Sequence, residues 1–247
     1  MVDKTKISTL DKEGYNEFSV EFERVDFESG EIFFVPKYAS SRPASRRVLN
    51  KVFYEPDTHR FVPKLLAERP GDMVHAGTFF GDMLPTFSQV SKHTVYAFEP
   101  VLENYLLAKM CVEANELENV FLLNAALGAS TGIVKMDTGG VGDAHRGGGS
   151  QVGDIGQRTA MLTIDNLGLS NASIIQLDVE GFELNALRGA AQTIERNSPV
   201  IMIEDNSDDC GDYLKQLEYK YCGKIPGLSV WARTKHMSRV SELLLSI

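Results

Sequence analysis

Met73-Val74-His75-Ala76-Gly77-Thr78-Phe79-Phe80-Gly81-Asp82 decides how this chain folds. A short apolar run ends at one glycine, a second follows four positions on, and helical spacing takes over across Asp82–Val90. Glycines at a strand-to-helix turn let the backbone approach a ligand closely, with helix amides directed at it. The same rhythm repeats downstream. Thr94–Phe98, Val120–Leu123, Ile174–Leu177 and Val200–Ile203 read as strands, while Val101–Asn115 and Phe182–Glu195 have helical spacing. Such alternation predicts βαβ units, hence an α/β fold whose mostly parallel sheet is covered on both faces. Tyr219–Cys222 and Leu228–Ala232 are separated by only five residues. That is too short for a helical crossover, so this last pair is expected to run antiparallel.

Upstream, the polar residues 1–16 read as a loose arm. Phe18, Val20 and Phe22 alternate with polar neighbours, and Ile32–Val35 follows Ser29-Gly30, which predicts a hairpin. Asp57–Glu68 has helical spacing and stops at Pro70-Gly71. Arg42, Arg46 and Arg47 form a basic patch between these elements; it is either a solvated connection or faces an anionic part of a substrate. Residues 1–70 thus form an extension, a hairpin and a helix, that is expected to contact substrate or a second copy of the chain. Residues 71–247 form the main domain. Thr138–Gly156 breaks the rhythm, with eight glycines and few apolar residues. It is expected to be a long loop, and such loops are commonly functional.

Composition narrows the partners. Lys+Arg total 25 against Asp+Glu 34, a net charge of −9, which leaves no uniform basic field for nucleic acid or an anionic membrane. The 43% apolar and 24% charged content is that of a globular protein rather than a disordered one. Cys111, Cys210 and Cys222 form no CxxC pair and leave an odd thiol, which favours a reducing compartment. No apolar leader and no membrane-length apolar run occur, so a cytoplasmic location is expected. On that expectation the sequon at Asn171-Ala172-Ser173 is a chance match.

Chemistry-bearing residues fall at strand ends. Glu99 closes the second strand 18 positions past Gly81, where a carboxylate suits the two hydroxyls of a ribose. Asp178 closes the fourth, in Gln176-Leu177-Asp178-Val179-Glu180-Gly181. In an open α/β sheet, ligands sit beyond the carboxyl ends of the strands at the switch point, so Asp178 is expected to face the space opened by Gly77. Glu180 and Glu183 also suit the positive end of the following helix, a purely structural role. The GxGxxG spacing of a dinucleotide site is absent, which counts against a nicotinamide-dependent oxidoreductase.

Taken together, VHAGTFFGD (74–82), YAFEP (96–100), LNAALG (123–128), TIDNL (163–167) and QLDVEGFELNALRGA (176–190) resemble the FkbM-type methyltransferases. The five motifs occur in order, and the resemblance spans about residues 54–206. It implies a class I Rossmann-like sheet of seven strands, mostly parallel with the last antiparallel, that binds S-adenosylmethionine. It also implies O-methylation of a small-molecule or sugar hydroxyl. Matched residue by residue, Gly77, Thr78, Gly81 and Asp82 fall in the cofactor loop, and Glu99 is the ribose acid. Asn124 and Ala125 fall at the adenine edge, and Asp178 lies beside the methyl donor. Two positions depart from the family pattern: His75 stands in place of Asp, and Gln176 in place of Lys. His75 retains a hydrogen-bonding group for the amino-acid end of the cofactor but no fixed negative charge. These departures are the sequence features that favour the alternative of a non-catalytic binding or assembly module.

An alcohol is almost wholly protonated at neutral pH, so methyl transfer to it calls for a base or a metal. Asp178 and His145, the latter in the glycine-rich segment, are the candidate catalytic residues. Asp178, Asp205 and Asn206, from adjacent strand ends, form a hard-oxygen set suited to Mg²⁺ or Ca²⁺. Asp205 and Asn206 equally suit a helix cap.

Overall fold

A fully buried strand needs a layer on each face, and the middle of this sheet consists of such strands. The computed structural model describes residues 4–11, 14–140, 144–204 and 208–247, with side chains from Val20 onward. The N-terminal part contains β1 (Lys4–Asp11), β2 (Gly14–Asp26), β3 (Ile32–Pro36), α1 (Pro43–Leu49) and α2 (Pro56–Glu68). The next stretch holds β4 (Asp72–Ala76), α3 (Leu84–Val90), β5 (Val95–Phe98), α4 (Leu102–Ala114) and β6 (Val120–Leu123). Four short strands follow: β7 (Ala125–Leu127), β8 (Gly132–Asp137), β9 (Gln151–Gly153) and β10 (Gln157–Leu162). The chain then forms β11 (Ala172–Leu177), α5 (Glu183–Arg188), α6 (Ala191–Asn197) and β12 (Val200–Ile203). It closes with α7 (Asp209–Gln216), β13 (Tyr219–Ile225), β14 (Leu228–Arg233) and α8 (Thr234–Leu245).

The main sheet has seven strands in the order β13-β14-β12-β11-β4-β5-β6. The four pairings from β12 to β6 are parallel, and β14 runs antiparallel to both β12 and β13, as the sequence predicts. Alternation along each strand separates two cores. Val74, Ala76, Ile175, Leu177, Ile201 and Ile203 point to the side covered by Ala186, Leu187, Ile194 and Leu214 from α5, α6 and α7. Met73, Ile174, Val200 and Met202 point to the other, against Phe61 and Leu65 of α2, Phe87 of α3 and Val240 of α8. From β4 the chain winds outward through β5 and β6, then returns to β11 on the opposite side. The switch point therefore lies between β4 and β11, and a crevice opens there at the carboxyl ends. No described helix is long and apolar enough to cross a membrane.

Two expectations for the main domain need correction. The Phe182–Glu195 helix is two helices, α5 and α6, interrupted at Gly189-Ala190. A Cβ on Gly189 would overlap the carbonyl oxygen of Gly128, and its own carbonyl accepts from the Asp165 amide at 2.9 Å. That close docking is incompatible with a continuous helix. The glycine-rich segment is not simply a loop: it carries β9 and a short 3-10 turn over Gly147–Gly149. With β7, β8 and β10 it forms a second sheet, ordered β7-β10-β8-β9. Its glycines pack through bare backbone. A Cβ on Gly147 would press on Ala39 and Phe79, and one on Gly156 would overlap the Met136 carbonyl.

The N-terminal residues form the expected antiparallel β2–β3 hairpin, but the polar stretch expected to be a loose arm instead supplies β1, whose backbone pairs antiparallel with β2 along Lys4–Asp11. The faces of β2 and β3 share a core with the main domain, in which Phe22, Phe33 and Val48 meet Phe79, Phe80, Leu107 and Cys111. Phe33 is fully buried, and its ring lies 4.9 Å from that of Phe27. Phe33→Ala is therefore expected to cost about 3–5 kcal/mol in denaturant unfolding, shifting one transition for the whole chain. Two separate transitions, with the later one unshifted, would show that the N-terminal core is energetically independent.

Candidate active site

The crevice is set by Gly77. It leaves β4 at φ 90°, and a Cβ there would overlap the backbone carbonyl of Asp178. The chain turns tightly: the Gly77 and Thr78 amides both donate to the Phe98 carbonyl at 3.2 Å. Phe79 then adopts φ 51°, a strained value for a bulky residue, while its amide donates to Glu99 Oε2 at 2.7 Å. Glu99 Oε1 accepts from the Val101 amide at 2.9 Å and from Asn104 Nδ2 at 3.3 Å. A carboxylate offers about four acceptor positions, so this buried side chain keeps one for a ligand. Burial pushes its carboxyl up to about 7, against the pull of these donors.

Two adjoining cavities meet across Gly77. The first encloses about 460 Å³; Glu99, Ala125, Leu127, Met136, Gly148 and Phe182 are among its walls. It is mostly apolar with a carboxylate at one side, which suits a flat base joined to a sugar. The second, about 610 Å³, is polar, with His75, Asp82, Gln176 and Arg42 on its walls beside Tyr54 and Phe79. Gly77, Gly148, Asp178 and Glu180 border both.

His75 and Gln176 face each other across the β4–β11 pairing, so the two positions that depart from the family pattern are neighbours. Gln176 Nε2 lies 3.8 Å from Met83 Sδ. His75 Nδ1, Gln176 Oε1 and Asp82 Oδ2 are buried without hydrogen-bond partners. Native proteins seldom leave buried polar atoms unmatched, and three on one cavity floor call for a polar ligand or ordered water. Burial lowers His75 to about 4, so it is neutral there, and raises Asp82 to about 7 with help from the charge of Glu55.

Carboxylates gather beyond the strand ends. One oxygen each from Asp178, Glu180 and Glu204 lie within 4.8 Å of one another, enough for a divalent cation. Asp178 is held well above the carboxylate range, first by burial and then by Glu204, whose charge and hydrogen bond keep a proton on the pair. Asp205 and Asn206, the other expected metal ligands, lie outside the described residues. Glu183 Oε1 accepts from the amides of Val179 at 2.9 Å and Gly181 at 3.2 Å, bracing its own loop.

Of the expected residues, Gly77, Glu99, Ala125 and Asp178 border the first cavity, and His75 and Asp82 the second. Thr78, Gly81 and Asn124 border neither. Gly81 packs on Ala108 and Cys111, and Asn124 Nδ2 donates to the carbonyls of Glu99 at 2.9 Å and Pro100 at 3.1 Å. These residues shape the wall from behind. His145 also stands away from both cavities: its ring lies 4.4 Å from Tyr38, and Nδ1 accepts from the Gly147 amide at 2.9 Å. Its hydrogen-bond partner Gly147 borders the first cavity, so His145 supports that wall from behind. Sequence reasoning missed Met136 and Val152 from the second sheet, Ser150 just before β9, and Tyr54 from the N-terminal part. A lone Tyr carries no motif, and the strands of the second sheet lack a clear apolar period.

The chain matches the methyltransferase FkbM domain over residues 75–225. No curated protein matches it significantly. Among solved structures it is similar to methyltransferase FkbM from Methylobacillus flagellatus KT, with 20% identity and a TM-score of 0.49. That match covers 66% of this chain and 44% of the other, so it spans less than half of the Methylobacillus protein. A methyltransferase from Geobacter sulfurreducens is 16% identical, with 76% and 84% of the two chains covered and a TM-score of 0.46. The O-methyltransferase from Bacillus cereus in complex with SAH is 12% identical over 72% and 80%, with a TM-score of 0.43.

The buried acids make stability depend on pH. Glu55, Asp82 and Glu99 each titrate at about 7, chiefly through burial, so the folded chain keeps protons that the unfolded chain has released. Their contribution is complete in acid and is lost as pH rises through 7. His59 and His75, lowered from 6.5 to about 4 by burial, act oppositely, and their contribution is already complete above 6.5. Between pH 6.5 and about 8 the carboxyls dominate. The melting temperature of the ligand-free protein is expected to fall across that window in scanning calorimetry; a flat or rising profile would refute the assignment.

Proposed function

Because the chain belongs to the FkbM methyltransferase domain family, we propose that it is an S-adenosylmethionine-dependent O-methyltransferase acting on a hydroxyl of a small molecule or sugar. The observation that carries this reading is the paired cavity meeting at Gly77. An apolar compartment with a spare Glu99 acceptor lies on one side, and a polar compartment with Asp178 at its border lies on the other. The base and ribose of the cofactor suit the first compartment. The unmatched atoms of His75, Gln176 and Asp82 suit the polar amino-acid end. The acceptor then approaches Asp178 through the second. The three free thiols favour a reducing, cytoplasmic setting, the acidic balance disfavours nucleic acid and anionic membrane as partners, and the hairpin extension is available for self-association.

Methyl transfer is an in-line displacement in which the sulfonium charge disappears, so the chain's task is alignment and removal of the acceptor proton. Asp178 is suited to that proton. Its pKa, raised by burial and by Glu204, makes its ionised form a stronger base than an ordinary carboxylate. Asp178 must first release its resident proton to solvent; after transfer, the acceptor proton takes that place on Asp178. Mg²⁺ or Ca²⁺ also fits this chemistry: Asp178, Glu180 and Glu204 would hold it, and it would lower the pKa of the acceptor hydroxyl.

Titration calorimetry with S-adenosylmethionine tests the cofactor reading. Saturable binding is expected, weakened about tenfold or more by Glu99→Ala through loss of a charged hydrogen bond. Absence of binding by the unaltered protein would sink the enzyme reading. Asp178→Asn should keep cofactor affinity while lowering turnover by about 10²–10⁴. Turnover that survives EDTA would eliminate the metal, whereas loss restored by Mg²⁺ would establish it.

A further inference from the structure

The basic residues between the hairpin and α2 border the route into the second cavity. Helix α1 buries Ala44, Ser45 and Val48 in the N-terminal core, which turns Arg46, Arg47 and Asn50 outward. Arg42, at the helix start, is one turn from Arg46 and on the same face. An open groove of about 1220 Å³ lies along this surface, bordered by Arg46, Arg47, Asn50, Tyr54, Glu55 and Gly227. Pro43 and Tyr54 border both the groove and the second cavity, while Arg42 borders the cavity itself. Three guanidinium groups therefore lead from the surface toward Asp178.

These groups are unmatched. On a chain of net charge −9, a cation has many carboxylates to pair with. Arg24, Arg60, Arg146, Arg233 and Arg239 each do so; Arg69, Arg158, Arg188 and Arg196 do not among the described residues, but none of those four borders the groove or the second cavity. Arg42, Arg46 and Arg47 form no ion pair among the described residues. Arg42 acts on Glu180 only at longer range, through its charge. The acid on the groove wall, Glu55, accepts from Thr58 Oγ1 at 3.0 Å, and burial raises it to about 7. It offsets the three positive charges only in part.

We propose that this groove is an anion subsite for the acceptor, taking the phosphate or diphosphate of a phosphorylated hydroxyl compound. Guanidinium forks match phosphate oxygens in pairs, and three in sequence exceed what a single carboxylate could satisfy. A phosphate held at Arg46 and Arg47 leaves the rest of the acceptor to pass Tyr54 and Pro43 and offer its hydroxyl to Asp178. The assignment of that hydroxyl rests on the methyltransferase reading. The phosphate site itself stands on the groove and its unpaired arginines.

Calorimetry on the full chain, with and without S-adenosylhomocysteine, tests it with pyrophosphate, glucose 1-phosphate and glucose as probes. Either phosphate probe should bind, the tighter of the two identifying mono- or diphosphate, and glucose should bind far more weakly. The Arg46→Ala/Arg47→Ala double variant should lose about tenfold or more of the phosphate affinity. Lys92→Ala, an exposed cation elsewhere, should stay within about twofold. S-adenosylmethionine affinity should stay within about twofold for both variants, since none of these side chains borders either cavity assigned to the cofactor. Failure of the unaltered protein to bind either phosphate probe, equal binding by the double variant, or glucose binding as tightly as its phosphate would overturn the subsite. Phosphate binding without S-adenosylmethionine binding would instead remove the methyltransferase reading and leave the subsite standing.

Discussion

The site depends on one close approach, that of the Gly77 backbone to the carbonyl of Asp178. The two strands that flank the switch point, β4 and β11, are paired in register up to Ala76 and Leu177. The Asp178 amide adds one more bond, donating to the Ala76 carbonyl at 3.1 Å. Beyond that point the chains diverge. With a side chain at Gly77 they would have to part sooner, opening the crevice and moving Asp178 away from the turn that carries Phe79. The contact also explains the strain at Phe79: its amide is delivered to Glu99, which in turn ties down the amide of Val101 at the start of α4. Glycine, turn, acid and helix start thus form one chain of hydrogen bonds.

Charge is the second constraint. Glu55, Asp82, Asp178 and Glu180 all titrate above their ordinary range, with burial the leading cause in each. A low-dielectric pocket that holds several acids either keeps protons on them or receives a cation. Both outcomes are useful to methyl transfer: the cofactor brings a sulfonium and an ammonium, and a carboxyl freed of its proton can take one from an alcohol. His75 fits the same logic. The family pattern has a fixed negative charge at this position; a neutral imidazole lowers the acidic load of a pocket already crowded by Asp82 and Asp178.

Much of the main sheet was legible because its strands are short, apolar and separated by helical spacing. Val74 and Ala76 on one face, with Met73 and His75 on the other, follow from strand alternation. Glu99 and Asp178 could be placed at strand ends by position alone. The second sheet was not legible, because its strands β8 and β9 carry few buried residues and its glycines contribute contacts rather than side chains. The glycine-rich composition resembled a loop for the same reason that it packs closely. Asn124 and Gly81 show another limit. A motif marks residues that a site needs, without distinguishing those that touch the ligand from those that hold the wall. His145 shows the converse, a chemically suitable side chain whose ring packs on Tyr38 and which borders neither cavity.

The N-terminal residues complete the site. Tyr54 and Arg42 border the second cavity, and a Cβ on Gly149 would overlap the Arg42 guanidinium, so the N-terminal part and the glycine-rich turn meet beside the crevice. The buried core beneath them, from Phe33 through Phe79 and Leu107, ties this roof to the turn that carries Glu99. A residue lost from that core therefore disturbs both sides of the cleft at once. The division of labour follows from this packing. The parallel sheet positions the acids at its strand ends, as its topology requires. The hairpin, α1 and the glycine-rich strands, which no topological rule constrains, determine the shape and charge of the entrance. On the methyltransferase reading, selectivity for the acceptor would lie in the parts of the chain whose sequence is least regular, where Arg42, Arg46 and Arg47 gather along one groove and the cavity beside it.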